Sequence, residues 1–499
     1  MNRKLVSMED AVSIPEIRTK QPKELYRVAM ATMWFSFSFW GMAALLVVYI
    51  VTQLKYNESD AYAIYGTFAA LVFGLPLLGG FISDRILGQR KSIIWGCSLQ
   101  IIGHALMALP FQNLIFVGLS FIAVGSGFAS GTDSALVGTF YAKEDNAGKD
   151  AGFSILYLSF NIGAALGGLI CGFIGQKINW HLGFGLAGIL MVFGLAQFIF
   201  GINKKHGSPP NPDRLKKKIY LGINTEFSTY LLTFVAIGLI TLLFYHTGVM
   251  DVVMLPLAIF SFIYIIVISS RFTIQERWKI FAALIAVLFI CCFFALYSQI
   301  NGSLNLFALR NVNMHIGGFE LSSVAFNTFL GPFFITLLIP LSMWFWKFLR
   351  KRNSEPHTVK KLSVGFLFMG LYFFLLWLGC SINRSTGILP VYFLIGGYFL
   401  MELSEVCIGP SVYSLTSKLS PGKIVSTMMG ILYIGQSLGQ YLAAKIGALM
   451  IVPANVTDPI ISLPYYSTNF LNLVYISIGL AVMALILYPL MKKWMQEVK

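Results

Sequence analysis

"FSFSFWGMAALLVVYIV", residues 35–51, runs its whole length without a charged side chain. A helix rises about 1.5 Å per residue, so about 20 apolar residues cross the hydrocarbon core of a bilayer. With its flanks, the stretch predicts a transmembrane helix over 25–51. The rest of the chain has the same character: of 499 residues, 57% are hydrophobic and 11% charged, which a water-exposed surface does not tolerate at this length. The sequence specifies a polytopic, all-α membrane protein.

Further apolar runs lie near 61–83, 92–111, 113–140, 151–175 and 182–203. Beyond the polar linker "KKHGSPPNPDRLKKK" (204–218) come 227–246, 250–270, 279–309, 321–347, 362–382, 389–416, 424–451 and 467–491, fourteen spans in all. Lys and Arg collect in cytoplasmic loops, and every second junction is basic: Arg85, Arg90 and Lys91; Lys143 and Lys149; the linker; Arg271, Arg277 and Lys279; Lys347 to Lys361; Lys418 and Lys423; and Lys492, Lys493 and Lys499. Lys55, Lys177, Arg310, Arg384 and Lys445 fall on the other side or in the membrane. Both termini are therefore expected in the cytoplasm, with the plasma membrane as the location.

The order suggests a cytosolic tail (1–24), a six-helix bundle (25–203), a linker (204–226), an inserted transmembrane hairpin (227–271), a second six-helix bundle (272–491) and a short tail (492–499). The first tail mixes both charge signs without an apolar core, unlike a cleavable signal. Two halves that rock about a central site are the architecture of many secondary transporters. No phosphate-binding loop serves an ATPase, and no nucleophile with a positioned base can be assembled, so an enzyme is not expected. The six cysteines sit in apolar segments without C-x-x-C spacing or a His cluster, so they read as small buried hydrophobes and no metal or cofactor is expected. The net charge of +15 is scattered in short loop clusters rather than gathered into a patch, which argues against nucleic acid. The expected partners are the bilayer and a small-molecule substrate.

The loop "GGFISDRILGQRK" (79–91) sets Gly79 and Gly80 at a helix end, then Asp84, Arg85 and Gly88. It obeys the charge rule, and its spacing resembles the gating loop between helices two and three of major facilitator transporters. "SALVGTFYAKEDNAGKDAGFSILYLSFNIGAALGG" (134–168), "FFALYSQINGSLNLFALRNV" (293–312) and "ELSEVCIGPSVYSLTSKLSP" (402–421) resemble the signature, seventh core helix and tenth core helix of the proton-dependent oligopeptide transporter family. The resemblance implies a major facilitator fold: twelve core helices in two six-helix bundles, plus the inserted hairpin. It also implies alternating-access transport of peptides or peptide-like solutes, with the proton as coupled ion.

In that family the first helix carries E-x-x-E-R-F-S-Y-Y-G-M-R, whose charges serve proton coupling and hold a peptide carboxylate. With Gly41 and Met42 fixing the register, this chain has Thr32, Phe35, Ser36 and Ala43 at the charged positions. The family lysine of helix four falls on Ser130, a tyrosine of helix two on Phe73, the acids of helix seven on Ser298 and Leu309, and an asparagine of helix eight on Gly331. A lone ion in a low-dielectric core costs several kcal/mol, so cations and acids disappear together. The usual clamp on a free peptide carboxylate is therefore not expected. By resemblance, Glu405, Asn161 and Tyr157 meet the substrate, together with Ser130 and Gln299, and Phe39, Trp40, Phe73 and Phe294 wall the cavity.

The remaining intramembrane charges each admit two readings. Glu405 contacts substrate or carries a proton, or it makes a structural hydrogen bond. Glu402 lies three residues earlier on nearly the same face, where the repulsion of two close carboxylates suits one of them to carry a proton, or it faces a helix neighbour. Asp133 is a relocated proton site or a helix contact. Lys445 snorkels or is the counter-charge of Glu402 or Glu405, and Arg310 joins a gate ion pair or snorkels. His104 reads as a core histidine or a proton relay. Two other functions stay open: a facilitator or exporter of a non-peptide amine metabolite, and a receptor-like protein that no longer transports.

Overall fold

The computed structural model describes residues 21–495 apart from 142–145, 204–205, 210–214, 216–223, 317, 353, 355, 422–423 and 454–455. The first twenty residues, most of the linker and residues 496–499 lie outside the described residues. The first half contributes α1 (Lys23–Thr52), α2 (Glu58–Ile82), α3 (Gln89–Ala108), α4 (Leu114–Ala129), the short α5 (Thr132–Gly138), α6 (Asn146–Lys177) and α7 (Trp180–Gly201). A hairpin follows, α8 (Thr225–Tyr245) and α9 (Gly248–Ser269). The second half is α10 (Ile274–Tyr297), α11 (Ser303–Asn311), α12 (Ser323–Lys351), α13 (Thr358–Ile382), α14 (Tyr392–Leu419), α15 (Val425–Ala448) and α16 (Pro459–Met495).

Counting α4/α5 and α10/α11 each as one broken helix gives the fourteen expected passages. Twelve helices among the described residues are long and apolar enough to cross a membrane. The other two, α3 and α15, carry buried polar side chains on their packed faces: Gln100 and His104, and Gln436 and Gln440.

Local chemistry sets the helix ends. Asn57, Asn179 and Asn224 accept backbone N–H bonds at the starts of α2, α7 and α8, satisfying donors that a first turn otherwise leaves open. Thr273 and Glu276 form a reciprocal capping box on α10. The two breaks were not anticipated from the apolar runs 113–140 and 279–309. The first falls at Gly131, whose φ of +77° is left-handed and suits glycine. At the second, a 3₁₀ turn (Ser298–Asn301) leads through Gly302 into α11.

Each half packs around its own helices: α1 lies against α6 and α7, α3 against α4 and α7, and α13 against α14 and α16. A small-residue seam on α6 brings the backbones of Gly163 and Gly167 onto the α1 backbone at Met33 and Phe37, leaving no room for a Cβ. Across the halves, α6 meets α12 and α2 meets α15. The hairpin lies against both halves. On α3, Lys91 pairs with Glu226 at 2.5 Å, and Trp95 and Tyr230 bring their rings to 4.4 Å. On α15, Lys445 pairs with Asp251 at 2.6 Å, and the Tyr441 hydroxyl donates to the same carboxylate.

Candidate functional site

The polar residues that stand where family charges would be on α1 are occupied in joining helices. Thr32 Oγ1 donates to Asp133 Oδ2 at 3.1 Å, and Ser36 Oγ donates to the Phe160 carbonyl at 2.7 Å. Ser38 Oγ donates to the Ala187 carbonyl at 2.7 Å and meets His104 Nε2 at 2.9 Å. His104 is fully buried and ties α3 to α1. Neutralised, this helix offers no cation toward the space between the halves.

Glu402 and Glu405, three residues apart on α14, come within hydrogen-bonding reach of each other. The Tyr297 hydroxyl, at the end of α10, donates to Glu402 Oε1 at 3.1 Å and also reaches Glu405. Glu402 is fully buried, and its Oε2 has no partner. Gly331 leaves the room: a Cβ there would stand 2.9 Å from Glu402 Oε1. Two carboxyls can hydrogen-bond to each other only with a proton between them. No Lys, Arg or His among the described residues contributes to the electrostatic surroundings of the pair.

Across from the pair, Tyr157 on α6 lies within electrostatic reach of both glutamates, and Asn161 Nδ2 donates to the Tyr157 carbonyl at 2.9 Å. Tyr157 is exposed. Phe294 connects Tyr297 to Phe73, with ring centroids 6.2 and 5.8 Å apart. Trp40 sits edge-on to Phe39 at 5.4 Å and to Phe160 at 6.5 Å. Its indole Nε1 has no partner.

Other expected site residues lie elsewhere. Gln299 is buried and fully engaged: its amide nitrogen donates to the carbonyls of Ala295 and Ala443, and its oxygen accepts from Ser303. It pins the break between α10 and α11, so it does not serve as a substrate ligand. Ser130 meets Ser126 Oγ at 2.9 Å beside the other break. Asp133 is held by Thr32 and by the Ser134 N–H at 2.7 Å, apart from the glutamates. Lys445 pairs with Asp251, a contact within the α9/α15 packing, and is not the counter-charge of Glu402 or Glu405.

In the 79–91 loop, Gly79 packs on the α4 backbone at Gly127, and Gly88 has a φ of +78°. Gly80 has open space around it. Asp84 is exposed and accepts from Gln89 at 3.4 Å, while Arg85 stacks over Phe81 at 4.6 Å. These contacts tie the loop to α2 and α3.

The end of the molecule remote from Lys23 and Met495 is closed. Glu58, 5% exposed, forms an ion pair with Arg310, which also donates to the Tyr466 hydroxyl at 3.0 Å. The Val452 N–H reaches Glu58 Oε2 at 3.4 Å. Gln176 bonds Ser322 at 2.5 Å and Ser323 at 3.1 Å, and Lys177 pairs with Glu320 at 2.7 Å. That hydrogen bond holds the exposed Glu320 carboxyl below its ordinary range, so the contact persists at neutral pH and is lost as acid protonates it. Among the described residues, both ion pairs that cross between the halves lie at this end.

Comparisons with known proteins agree with this architecture. A family model described as the POT family matches residues 90–461. The dipeptide and tripeptide permease A of Cronobacter turicensis is 31% identical over 486 residues, covering 96% of this chain and 95% of that protein. The uncharacterized transporter YclF of Bacillus subtilis is 30% identical over 495 residues, 96% of each. A crystal structure of a peptide transporter POT in complex with sulfate superposes with a TM-score of 0.82 at 27% identity, over 95% of this chain and 96% of that one.

Proposed function

The chain belongs to the POT family, a family of transporters rather than enzymes with the major facilitator fold, and from that premise we propose how it works. It is a multi-pass membrane transporter that moves small peptides or peptide-like solutes by alternating access. The halves 25–203 and 272–491 rock about the space between Tyr157 and Glu405, with both termini in the cytoplasm of a bacterial cell. The end closed by Glu58, Arg310, Lys177 and Glu320 is the extracellular gate.

The observation that carries this reading is the pair of Glu402 and Glu405 under Tyr297, with no cation beside it among the described residues. Glu405 receives the substrate amine, and Glu402 keeps the proton that the pair must share when the site is empty. Phe39, Trp40, Phe73 and Phe294 accept apolar side chains. With the E-x-x-E-R charges absent, this pair takes over proton coupling.

Uptake of labelled small peptides into proteoliposomes tests the proposal. The vesicles are compared with and without an inward proton gradient, using free and C-terminally amidated probes. Accumulation of at least one probe above the external concentration, only with the gradient, is expected. If no probe is taken up by folded protein, the reading fails.

A further inference from the structure

Three of the cations on the far side or in the membrane are taken by acids: Lys177 by Glu320, Arg310 by Glu58 and Lys445 by Asp251. Lys55 lies exposed in the turn after α1. Arg384, two residues past the end of α13, makes no ion pair or hydrogen bond among the described residues. It borders a cavity of about 390 Å³ between the far ends of α13 and α16, a size within the range of ligand sites. Leu463, Pro464, Ser467 and Thr468 of α16 line the same space. Asn311 fixes this corner of the fold, donating to the Gly387 and Pro459 carbonyls at 2.8 and 2.9 Å.

The lining is polar for a local reason. Pro464, inside α16, has no N–H for the Ile460 carbonyl, and its ring crowds that carbonyl. Hydroxyls in other helices fold back on a carbonyl four residues earlier, as Ser477 does on Leu473 and Thr336 on Pro332. Ser467 and Thr468 make no such bond among the described residues, so two hydroxyl donors stand beside a free guanidinium. That donor set matches the oxygens of a phosphate. No acid lines the cavity, and Asp458, at the start of α16, accepts the Ile460 N–H at 2.8 Å. The surroundings are apolar: Ile382, Ile460 and Ile461 are exposed, as are Tyr392 and Tyr465. Exposed tyrosines of a membrane protein gather at the level of the lipid headgroups.

We propose that this cavity is a binding site for an anionic phospholipid. The phosphate diester pairs with Arg384, Ser467 and Thr468 donate to headgroup and glycerol oxygens, and an acyl chain lies against Leu463 and Pro464. A zwitterionic ethanolamine lipid gains less, because its amine finds no carboxylate in the lining. The site shares no residue with the Glu402 and Glu405 pair and goes beyond the transport reading without depending on it.

The test is native mass spectrometry of the purified, delipidated full-length protein. It is titrated with phosphatidylglycerol, with phosphatidylethanolamine of the same acyl chains, and with glycerol 3-phosphate. For the most tightly held lipid, phosphatidylglycerol is expected to bind about tenfold more tightly than phosphatidylethanolamine. Arg384→Gln is expected to remove that preference, since a hydrogen bond to a charged group is worth about tenfold or more in affinity. Arg384 is exposed, so the variant should fold, and circular dichroism checks that it has. A large excess of glycerol 3-phosphate is expected to leave the bound lipid in place. Equal binding of the two lipids overturns the inference, as does a preference that survives Arg384→Gln. Displacement by glycerol 3-phosphate also overturns it, because the occupant would then be a soluble phosphate rather than a lipid.

Discussion

Glu405→Gln is expected to lower the affinity for an amine substrate ten- to a hundredfold and to abolish gradient-driven accumulation, while the protein remains folded. The size follows from the bond removed: a hydrogen bond to a charged group contributes about 1.5–3 kcal/mol, and about 1.4 kcal/mol is a factor of ten in affinity. Folding should survive because glutamine keeps the shape of the side chain and an oxygen for Tyr297. Glu402→Gln should separate the two roles. Its carboxyl is fully buried against Tyr297 and Gly331, so affinity should change less than threefold. Proton storage should be lost, leaving uptake that equilibrates across the membrane without accumulating. Initial rates and end-point levels in the same vesicles separate these outcomes. Accumulation by Glu402→Gln equal to that of the parent would place the proton elsewhere, with Asp133 the next residue to replace.

Arg310→Leu should be the most destabilising single change at the far end. Glu58 is almost wholly buried there, and Arg310 is its ion-pair partner. Removing one member of a buried pair leaves an uncompensated charge and costs about 3–5 kcal/mol. Thermal unfolding in detergent should show a markedly less stable protein. The double change Glu58→Gln with Arg310→Leu should recover most of the loss, because no buried charge remains. Its transport should still be slower than the parent's, because the gate no longer closes with the same preference. If Arg310→Leu unfolds no more readily than the parent, the pair does not carry the seal.

Legibility differed between the fold and the site for physical reasons. The fourteen spans follow from apolar runs, and the alternation of basic junctions fixes their order, because both depend on local composition. The breaks at Gly131 and Gly302 were hidden, since a glycine inside an apolar run looks like any other small residue until its backbone angles are known. Glu402 and Glu405 could be paired from their three-residue spacing alone. Tyr297, which links them, could not, because it lies more than a hundred positions away in the chain.

The same distance hid the partners of the cations. Glu58 meets Arg310 and Asp251 meets Lys445 across 252 and 194 positions, and neither acid sits in a motif. A charge inventory was the available signal: few cations lay on the far side or in the membrane, and the acids available there were Glu58, Asp60, Asp251, Glu320 and Asp458. Gln299 misled in the other direction. Its place in a family-like stretch suggested substrate, whereas the broken helix beside it needed its three hydrogen bonds.

The central claim, that Glu402 and Glu405 couple protons to an amine substrate, is tested most directly by following proton movement itself. Proteoliposomes carrying a pH-sensitive dye inside would receive alanyl-phenylalaninamide from outside with no gradient imposed. The account predicts that the lumen acidifies as the probe enters and that Glu402→Gln takes up the probe without acidification. Entry of the probe into parent vesicles with no change in internal pH would contradict it.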